Sequence, residues 1–317
     1  MVETNLNKIS GWIILDKQSG VTSRQLVSKI SKTLKIKKIG HGGTLDPLAT
    51  GILPIALGEA TKLISFVQNK KKKYSFTIKW GEATDTDDIE GKIVKKSDFR
   101  PNKEQIQNAL YSFIGKINQK PPNFSAIKVN GKRSYNLARK NIPIIHKPRP
   151  IEVHAFKLKK IVNIDFAEFE VICGKGTYVR SLVRDLSEKL NTRGHVTKLR
   201  RHVVGNFNEK DTIFIDFFKE IIHSPTFLKK IKPIEKVLDD IPALFLTETE
   251  EIKLRQGQKI SLNSLKFGDI FIKTYPNYQK FERVCTVSNN KLVALIEIDD
   301  GLVKPKRVIN YQKERQI

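Results

Sequence analysis

Apolar positions in the first two hundred residues follow two periods. Residues 11–16, apolar without interruption from Trp12 to Leu15, are typical of a short buried strand, and residues 74–80 alternate apolar and polar positions as a half-buried strand does. Further strands are predicted within residues 148–173, as a pair around Asn163, and at 196–204. An apolar residue every three or four positions predicts helices at residues 22–34, 59–69, 102–115 and 177–190. Thr22 or Ser23 is the expected cap of the first helix and Thr177 of the last. Because strands and helices mix without regular βαβ alternation, we expect an α+β fold with a mainly antiparallel sheet.

The pattern changes after residue 206. Residues 206–240 are rich in Phe, Ile and Lys, with a break at Ser224-Pro225, and predict a connector with one or two amphipathic helices. Beyond Ile241, a short helix ending near Gly257 precedes short strands, expected at residues 270–273, 283–288 and 292–298. We therefore expect a large domain over residues 1–210, a connector over 211–240 and a small, mostly β domain over 241–317.

Charge indicates the kind of partner. The 317 residues include 58 Lys and Arg against 33 Asp and Glu, a formal net charge of +25. A generally lysine-rich proteome would raise the charge everywhere without creating a binding patch. The excess is nevertheless large for a globular chain, and it favours a polyanionic partner, nucleic acid above all.

Several protein classes lack support in the sequence. The two cysteines, Cys173 and Cys285, are far apart and form no CxxC pair, which argues against a zinc ribbon or a disulfide scaffold. Residues 1–5 show no signal-peptide pattern, and no apolar stretch approaches the ~18 residues of a membrane span. A cytoplasmic protein is expected. Neither a GxSxG nor a GxGxxG motif occurs, so serine hydrolysis and dinucleotide binding have no support.

The loop of residues 41–51 presents one carboxylate, Asp46, among glycines, small residues and proline. An ordinary Asp-Pro turn is the simpler interpretation. The alternative is a backbone shaped to display Asp46, with Pro47 keeping it out of the α region and the glycines allowing another backbone to approach. His41 has no second metal ligand nearby in sequence, so no metal site is expected, but its ring can stack on a base.

Residues 174–180 form a second candidate site. Gly174-Lys175-Gly176 precedes a predicted helix, which is either an ordinary glycine turn or an anion-binding helix start. A guanidinium from Arg180, in the first helical turn, can pair with a carboxylate and would hold Asp46 ionised and oriented.

Two further motifs have competing interpretations. Tyr74 follows four lysines; such a tyrosine is usually a core residue, although basic residues around an exposed aromatic also make a platform for single-stranded nucleic acid. The acidic run at residues 85–91 lacks the full calcium-loop pattern and is interpreted as a turn with Asx bonds.

Taken in order, these motifs resemble the bacterial TruB family of tRNA pseudouridine synthases. The resemblance runs from about residue 10 to 205 and is weaker beyond, where residues 254–257 are similar to a PUA-type RNA-binding domain. It is carried by Gly11-Trp12, Asp16-Lys17, residues 41–51, 58–62 and 84–86, Gly91, residues 174–180, His195 and residues 199–201.

The resemblance implies a pseudouridine synthase fold and conversion of uridine 55, in the T-loop of tRNA, to pseudouridine without a cofactor. Asp46 would be the essential aspartate, attacking the sugar or assisting proton removal from it, and Arg180 its ion-pair partner. Tyr74 would stack on the flipped base, with Tyr178 and Leu199 lining the pocket and His41 inserting into the T-loop. A monomer without an obligatory protein partner is expected.

Some positions depart from the family pattern, namely Gly42, Gly174 and Gln18, but none removes a proposed catalytic group. Two alternatives remain at this point. A guide-RNA-dependent synthase subunit would keep the same catalytic motifs, so activity on a bare tRNA transcript would discriminate. A non-catalytic tRNA-binding or folding protein is disfavoured by the joint presence of Asp46, Tyr74 and Arg180.

Overall fold

A computed structural model describes residues 9–140, 142–216, 220 and 225–311. Residues 1–5, considered above for a signal peptide, and Ser224 of the predicted connector break lie outside this part. Among the described residues, no helix is both long enough and apolar enough to cross a membrane.

Two sheets organise the described chain. The larger has the order β14-β1-β3-β12-β4-β11-β10-β7, with β13 paired to β12 and β2 to β3. Only β1/β14 and β3/β12 are parallel, so the expected mainly antiparallel α+β fold is confirmed. Two short hairpins, β5/β6 and β8/β9, lie outside it. The strands up to the connector are β1 Gly11–Lys17, β2 Ile39–His41, β3 Thr50–Leu57, β4 Lys72–Trp80, β5 Glu82–Thr84, β6 Ile93–Lys96, β7 Gly115–Gln119, β8 Lys128–Val129, β9 Lys132–Arg133, β10 Arg149–Ile161, β11 Phe166–Cys173, β12 Gly194–Val204, β13 Phe207–Asn208 and β14 Thr212–Phe214.

The helices up to the connector are α1 Ser23–Leu34, α2 Ile64–Asn69, α3 Lys103–Leu110, α4 Ser134–Ala138 and α5 Val179–Lys189, followed in the connector by α6 Pro225–Lys230. The apolar stripes of α1, α3 and α5 join one core with the inward residues of the strands on one face of the large sheet. Val67 of α2 belongs instead to the core on the opposite face.

Strand β1 is buried on both faces, which explains its continuous apolar run. Ile13 and Leu15 belong to the core under the helices, whereas Trp12 and Ile14 belong to a second core on the opposite face. That second core also contains Cys285 and Leu292 of the C-terminal sheet. The C-terminal part of the chain therefore packs directly against the back of the large sheet.

The C-terminal sheet has five strands in the order β15-β17-β18-β19-β16. The predicted strands at 283–288 and 292–298 lie within β17 and β18 and are confirmed. The elements are β15 Ala243–Phe245, α7 Glu248–Arg255, β16 Ile260–Ser261, α8 Gly268–Thr274, β17 Lys280–Ser288, β18 Lys291–Asp299 and β19 Leu302–Val308.

The strand predicted at residues 270–273 is wrong, because this segment forms helix α8. The Ile-Phe-Ile run suggested a strand, but only Phe271 of the three is buried. Phe271 packs on Tyr275, four residues on, at a ring separation of 4.7 Å, and on Phe281 of β17 at 5.7 Å. The decisive signal was the i, i+4 pair of aromatic rings, which is a helical spacing.

Two further details differ from expectation. The helix predicted at 102–115 ends at Leu110, passes through a 3₁₀ turn, and gives way to β7 at Gly115. The connector contributes a strand that was not predicted, because β14 pairs in parallel with β1 at the edge of the large sheet. This pairing depends on a contact about two hundred residues away in sequence, which local periodicity does not encode.

Candidate active site

The Asp46 loop is fixed to the body of the protein at its sides. Thr22 caps α1 in a capping box with Gln25, which leaves Ser23 free for another role. The Ser23 hydroxyl accepts from the backbone N–H of Leu45 at 2.9 Å and donates to the carbonyl of the same residue at 3.2 Å. Residue 45 is thus held on both backbone groups, immediately before the carboxylate.

Lys17, at the end of β1, holds the other side of the loop. Its buried ammonium donates to the carbonyls of Gln18 at 2.9 Å, Pro47 at 2.9 Å and Ala49 at 2.6 Å. Burial lowers the pKa of Lys17 to about 8, although the nearby negative charge of Asp46 acts in the opposite direction. The sequence carried no signal for this role beyond membership of the Asp16-Lys17 motif.

Asp46 and Arg180 form a two-pronged ion pair. Arg180 Nε lies 2.9 Å from Asp46 Oδ2, and Nη2 lies 2.8 Å from Oδ1. Arg180 sits in the first turn of α5, as expected, and the structure places it beside the carboxylate from 134 positions away in sequence. The Asp46 side chain is 28% exposed whereas that of Arg180 is 4% exposed. The carboxylate therefore faces solvent while its partner is buried.

The remaining donors of Arg180 are also engaged. Nη1 donates to the carbonyl of Thr86 at 2.8 Å, Nη2 donates to the carbonyl of Phe124 at 3.0 Å, and Asp88 Oδ2 lies 3.5 Å from Nε. Burial alone would lower the pKa of Arg180, but the two carboxylates outweigh it and raise that pKa. The guanidinium is thus permanently charged and locked in one orientation.

The acidic run at residues 85–91 is a turn with Asx bonds, as predicted, since Asp88 Oδ1 accepts from the backbone N–H of Glu90. The turn is also part of the site. Asp88 is buried beside Arg180, and Asp87 lies 3.0 Å from Arg184, one turn further along α5. Burial raises the pKa of Asp87 to about 6 and also raises that of Asp88. The sequence interpretation missed this contribution because a turn and an ion-pair partner have the same local composition.

Arg201, on β12, is a buried cation that bonds both ends of the Asp46 loop. Its Nε donates to the carbonyl of Ile52 at 2.8 Å and its Nη2 to the carbonyl of Gly43 at 3.1 Å, so it bridges the two ends of the Asp46 loop. A methyl group on Gly51 (φ +98°) would lie 2.2 Å from the Arg201 carbonyl oxygen, so only glycine allows β3 and β12 to meet here. Arg201 was seen in the sequence only as part of the 199–201 motif.

Tyr74 lies opposite Arg201 in the β4/β12 ladder. It is 9% exposed and belongs to the main core together with Leu199, which is also buried. Burial raises the pKa of Tyr74, opposed by the positive charge of Arg201, so the phenol stays protonated. The ring is largely a core residue, in keeping with the simpler interpretation of its position. The negative charge of Asp46 also contributes to the raised pKa of Tyr74.

His41 ends β2 and opens the loop. Its Nδ1 is buried without a hydrogen-bond partner among the described residues. Burial and, secondarily, the charge of Arg201 lower the pKa of His41, which keeps the ring neutral near pH 7. A neutral, half-buried imidazole suits stacking better than ion pairing.

Tyr178, rather than Thr177, occupies the N-cap of α5, and it makes no side-chain cap. The expected Thr177 cap is wrong. The amide of Gln119 replaces it, because its oxygen accepts from the Tyr178 N–H at 2.9 Å and its nitrogen donates to the Tyr178 carbonyl at 3.1 Å. Burial and the negative charge of Asp46 raise the pKa of the Tyr178 phenol.

The structure therefore pairs Arg180 with the partly exposed carboxylate of Asp46 and places Tyr74 and Tyr178 where its charge raises their pKa values. His41 opens the same loop, and Leu199 lies on β12. Within the described ranges, no group of three or more His, Cys, Asp or Glu side chains is arranged to hold a metal ion.

Comparison with known proteins gives matches along nearly the whole chain. Residues 31–179 match the TruB family pseudouridylate synthase (N terminal domain), and residues 180–239 match the tRNA pseudouridylate synthase B C-terminal domain. The tRNA pseudouridine synthase B of Caulobacter sp. (strain K31) is 44% identical over 300 residues, which cover 95% of this chain and 96% of the relative. That of Rhodospirillum rubrum is 44% identical over 303 residues, covering 95% and 97%.

Solved structures support the fold. A chain of a Cbf5-Nop10-Gar1 complex superposes with a TM-score of 0.72 at 24% identity, covering 99% of this chain and 90% of that one. A chain of an archaeal box H/ACA sRNP Nop10-Cbf5 complex gives 0.70 at 21%, covering 99% and 91%. The fold is that of a pseudouridine synthase followed by a small, mostly β, PUA-like domain. Together with the relatives of 44% identity, these matches show that the chain belongs to the TruB family of pseudouridylate synthases.

Proposed function

We propose that this protein isomerises uridine 55 in the T-loop of tRNA to pseudouridine, with Asp46 as the essential carboxylate. Residues 1–210 would carry the chemistry, and the C-terminal domain, residues 241–317, would bind RNA. The proposal includes a monomer that acts in the cytoplasm without a cofactor or an obligatory protein partner. The names of the relatives support the substrate class, and the geometry of the site supports the chemistry.

One observation carries the proposal: a partly exposed carboxylate is held in a fixed direction by a buried, fully bonded guanidinium. Cleavage of the bond between the base and C1′ leaves a sugar carbon with cationic character. A fixed carboxylate stabilises or traps such a carbon, as the carboxylates of glycosidases do. Because Arg180 and the loop are already locked, little reorganisation is needed when that charge develops.

The atom balance of the reaction requires nothing that the substrate lacks. The N1–C1′ bond breaks, the base rotates, and a C5–C1′ bond forms. C5 loses a proton and N1 gains one, so the product is an isomer of the substrate. Asp46 would either attack the sugar or assist removal of a proton from it, and both roles require an ionised carboxylate that faces the ribose.

The base must leave the loop stack before its sugar can reach Asp46. Unstacking costs about a few kcal/mol, which contacts in the pocket must offset. Tyr74 and Tyr178 would contact the flipped uracil, Leu199 would line the pocket, and neutral His41 would replace displaced bases in the T-loop. All of these rings and side chains lie on elements of the large sheet or at a helix start, so the pocket is held by the core.

A cationic surface borders the Asp46 loop. Helix α1 contacts the loop through the hydrogen bond between Ser23 and the backbone of Leu45, and it contains no acidic residue. Its exposed side and the turn after it carry a row of cations, namely Arg24, Lys29, Lys32, Lys35 and Lys37. Such a row would bind the phosphates of the T-arm irrespective of sequence and bring the loop to the carboxylate.

Pseudouridine mapping on an unmodified tRNA transcript tests the function. We expect incubation with the purified protein alone, followed by carbodiimide labelling and primer extension, to give a new stop at position 55 of the T-loop. A stop elsewhere would contradict the position, and no stop would contradict activity without partner proteins. A transcript with cytidine at position 55 provides the control, because it removes the target while keeping the fold of the tRNA.

Salt dependence tests the docking surface. We expect tRNA affinity to fall about 10³- to 10⁵-fold between roughly 50 and 200 mM salt if six to ten phosphates are contacted. The measurement is the dissociation constant by filter binding or fluorescence anisotropy at several salt concentrations. A flat response would show that the net charge of +25 does not form the docking surface.

A further inference from the structure

Residues 120–148 connect β7 to β10, and we call this connection the β7–β10 loop. Gln119 of β7 pairs with Arg149 of β10, so both ends of the loop are fixed in the large sheet. The loop contains the short hairpin β8/β9 and helix α4. It reaches the catalytic pair at the carbonyl of Phe124, which accepts from Arg180 Nη2 at 3.0 Å.

Five successive carbonyls of the loop, those of residues 123–127, are all hydrogen-bonded. The carbonyl of Phe124 bonds Arg180, and the other four bond residues 133–135, where β9 passes into α4. The four donors are the Ser134 hydroxyl to Asn123, the Tyr135 N–H to Ser125 at 3.0 Å, the Arg133 guanidinium to Ala126, and the Ser134 N–H to Ile127 at 2.7 Å. The start of α4 therefore sets the direction in which the Phe124 carbonyl points.

The Ser134 hydroxyl joins three parts of the loop. It donates to the carbonyl of Asn123, near the beginning, and lies 2.9 Å from Nε2 of His146, near the end. Ser134 is 0% exposed and His146 is 5% exposed, so water does not replace these bonds easily. Because a carbonyl can only accept, the one hydroxyl proton goes to Asn123, and the Nε2–H of His146 donates to the Ser134 oxygen. Burial, together with the charges of Arg149 and Lys120, lowers the pKa of His146, so the ring is neutral near pH 7.

The position of the Phe124 carbonyl is transmitted to the carboxylate through Arg180. Nη2 of Arg180 is shared between this carbonyl, at 3.0 Å, and Asp46 Oδ1, at 2.8 Å. A guanidinium is planar, so the directions of its N–H bonds are fixed relative to one another. A carbonyl that moved would therefore turn Nε as well, which bonds Asp46 Oδ2 at 2.9 Å.

We infer that Ser134 and His146 are positioning residues for pseudouridine formation: their hydrogen bond holds the β7–β10 loop in the conformation in which the Phe124 carbonyl aligns Arg180 with Asp46. The inference rests on the proposed function and deepens it, because it gives two residues outside the ion pair a part in the rate of the reaction. Their substitution should change turnover more than RNA binding.

The first test is a double-mutant cycle on single-turnover rates, with a tRNA transcript and saturating protein. We expect Ser134→Ala to slow pseudouridine formation about tenfold, less than the ~10²-fold that a misplacement of about 1 Å can cost. The dissociation constant for tRNA should change by less than about twofold, because phosphate contacts dominate affinity. In Arg180→Lys protein the same substitution should cost almost nothing further, since effects that pass through one group are not additive. Equal losses in the two backgrounds would overturn the inference.

Substitutions of His146 give a comparison that keeps Ser134 intact, and it decides the matter if Ser134→Ala does not fold. Glutamine keeps an N–H that can donate to the Ser134 oxygen, whereas leucine provides no donor. We expect His146→Gln to retain most of the wild-type rate and His146→Leu to lose about tenfold, as Ser134→Ala does. Equal rates for the two variants would contradict the role of this hydrogen bond.

Ser187→Ala is the matched control, because it removes another buried serine hydroxyl that donates to a backbone carbonyl, that of Val183 at 2.7 Å, on the same helix as Arg180. It should retain the wild-type rate. A second measurement needs no turnover: exchange of the Arg180 Nε–H with water, followed by NMR after arginine-selective isotope labelling. We expect faster exchange in Ser134→Ala but not in Ser187→Ala, and unchanged exchange in Ser134→Ala would overturn the inference. Faster exchange in a protein whose wild type forms no pseudouridine would count against the proposed function instead.

Discussion

Asp46→Asn protein is expected to bind tRNA but to form pseudouridine at least about 10⁴ times more slowly than wild type, the scale of loss seen when an essential catalytic group is removed. Asparagine has nearly the same shape and can still accept one bond from Arg180, but it cannot stabilise or trap a cationic sugar carbon. Affinity should stay within about tenfold, equivalent to about 1.4 kcal/mol, because phosphate contacts dominate binding. Single-turnover rates and dissociation constants on the same transcript provide the measurement.

The control for this substitution is Asp98→Asn, which removes the same charge at an exposed position outside the site. It should retain wild-type turnover. Thermal unfolding of both variants would show whether loss of the Asp46 charge beside buried Arg180 has destabilised the fold. Pseudouridine formation by folded Asp46→Asn at a wild-type rate would remove Asp46 from the catalytic role.

Arg180→Lys is expected to lower the rate of pseudouridine formation by at least about 10²-fold with little change in tRNA affinity. Lysine keeps the positive charge but cannot make the two-pronged bond to Asp46 while also bonding the carbonyls of Thr86 and Phe124. Misplacement of a reacting group by about 1 Å can cost about 10²-fold in rate. Arg180→Ala should lose turnover further and lose stability too, since breaking a buried ion pair costs about 3–5 kcal/mol.

Arg184→Lys is the matched comparison, because it makes the same substitution one turn along α5. Arg184 also lies in ion pairs, with Asp87 at 3.0 Å and Asp185 at 2.9 Å, and it donates to the carbonyl of Lys120 rather than to Asp46. It should retain most of the turnover. If Arg180→Lys lost binding and turnover in equal measure, Arg180 would be an RNA-binding residue rather than one that orients the carboxylate.

The two buried arginines, Arg180 and Arg201, hold different parts of the site in place before the substrate binds. Arg180 fixes the carboxylate, whereas Arg201 bridges the carbonyls of Gly43 and Ile52 at the two ends of the loop that carries it. Lys17 bonds the carbonyls of Pro47 and Ala49, so four carbonyls in or beside the loop accept bonds from buried cations. Backbone held in this way costs little to keep in place when the reaction begins.

Local sequence predicted what short-range physics controls. The apolar run at β1, the alternation in β4 and the helical stripe of α1 report which faces are buried, and those elements are as expected. The Asp-Pro-glycine loop and the glycine turn before α5 also followed from backbone chemistry, because few other residues adopt those conformations. Asp46 and Arg180 were identified as candidates on these grounds and from the family resemblance.

Only the tertiary structure decided the rest, because the deciding contacts join residues far apart in the chain. The bond from Gln119 made Tyr178 the helix start in place of Thr177, and the Phe271–Tyr275–Phe281 cluster turned an apparent strand into α8. The same is true of Asp88, Lys17 and Arg201, whose burial around the Asp46 loop and Arg180 depends on how the sheet strands and helix α5 meet. The sequence alone determined which residues are able to do the chemistry, and the fold determined which of them stand together and which ones hold them there.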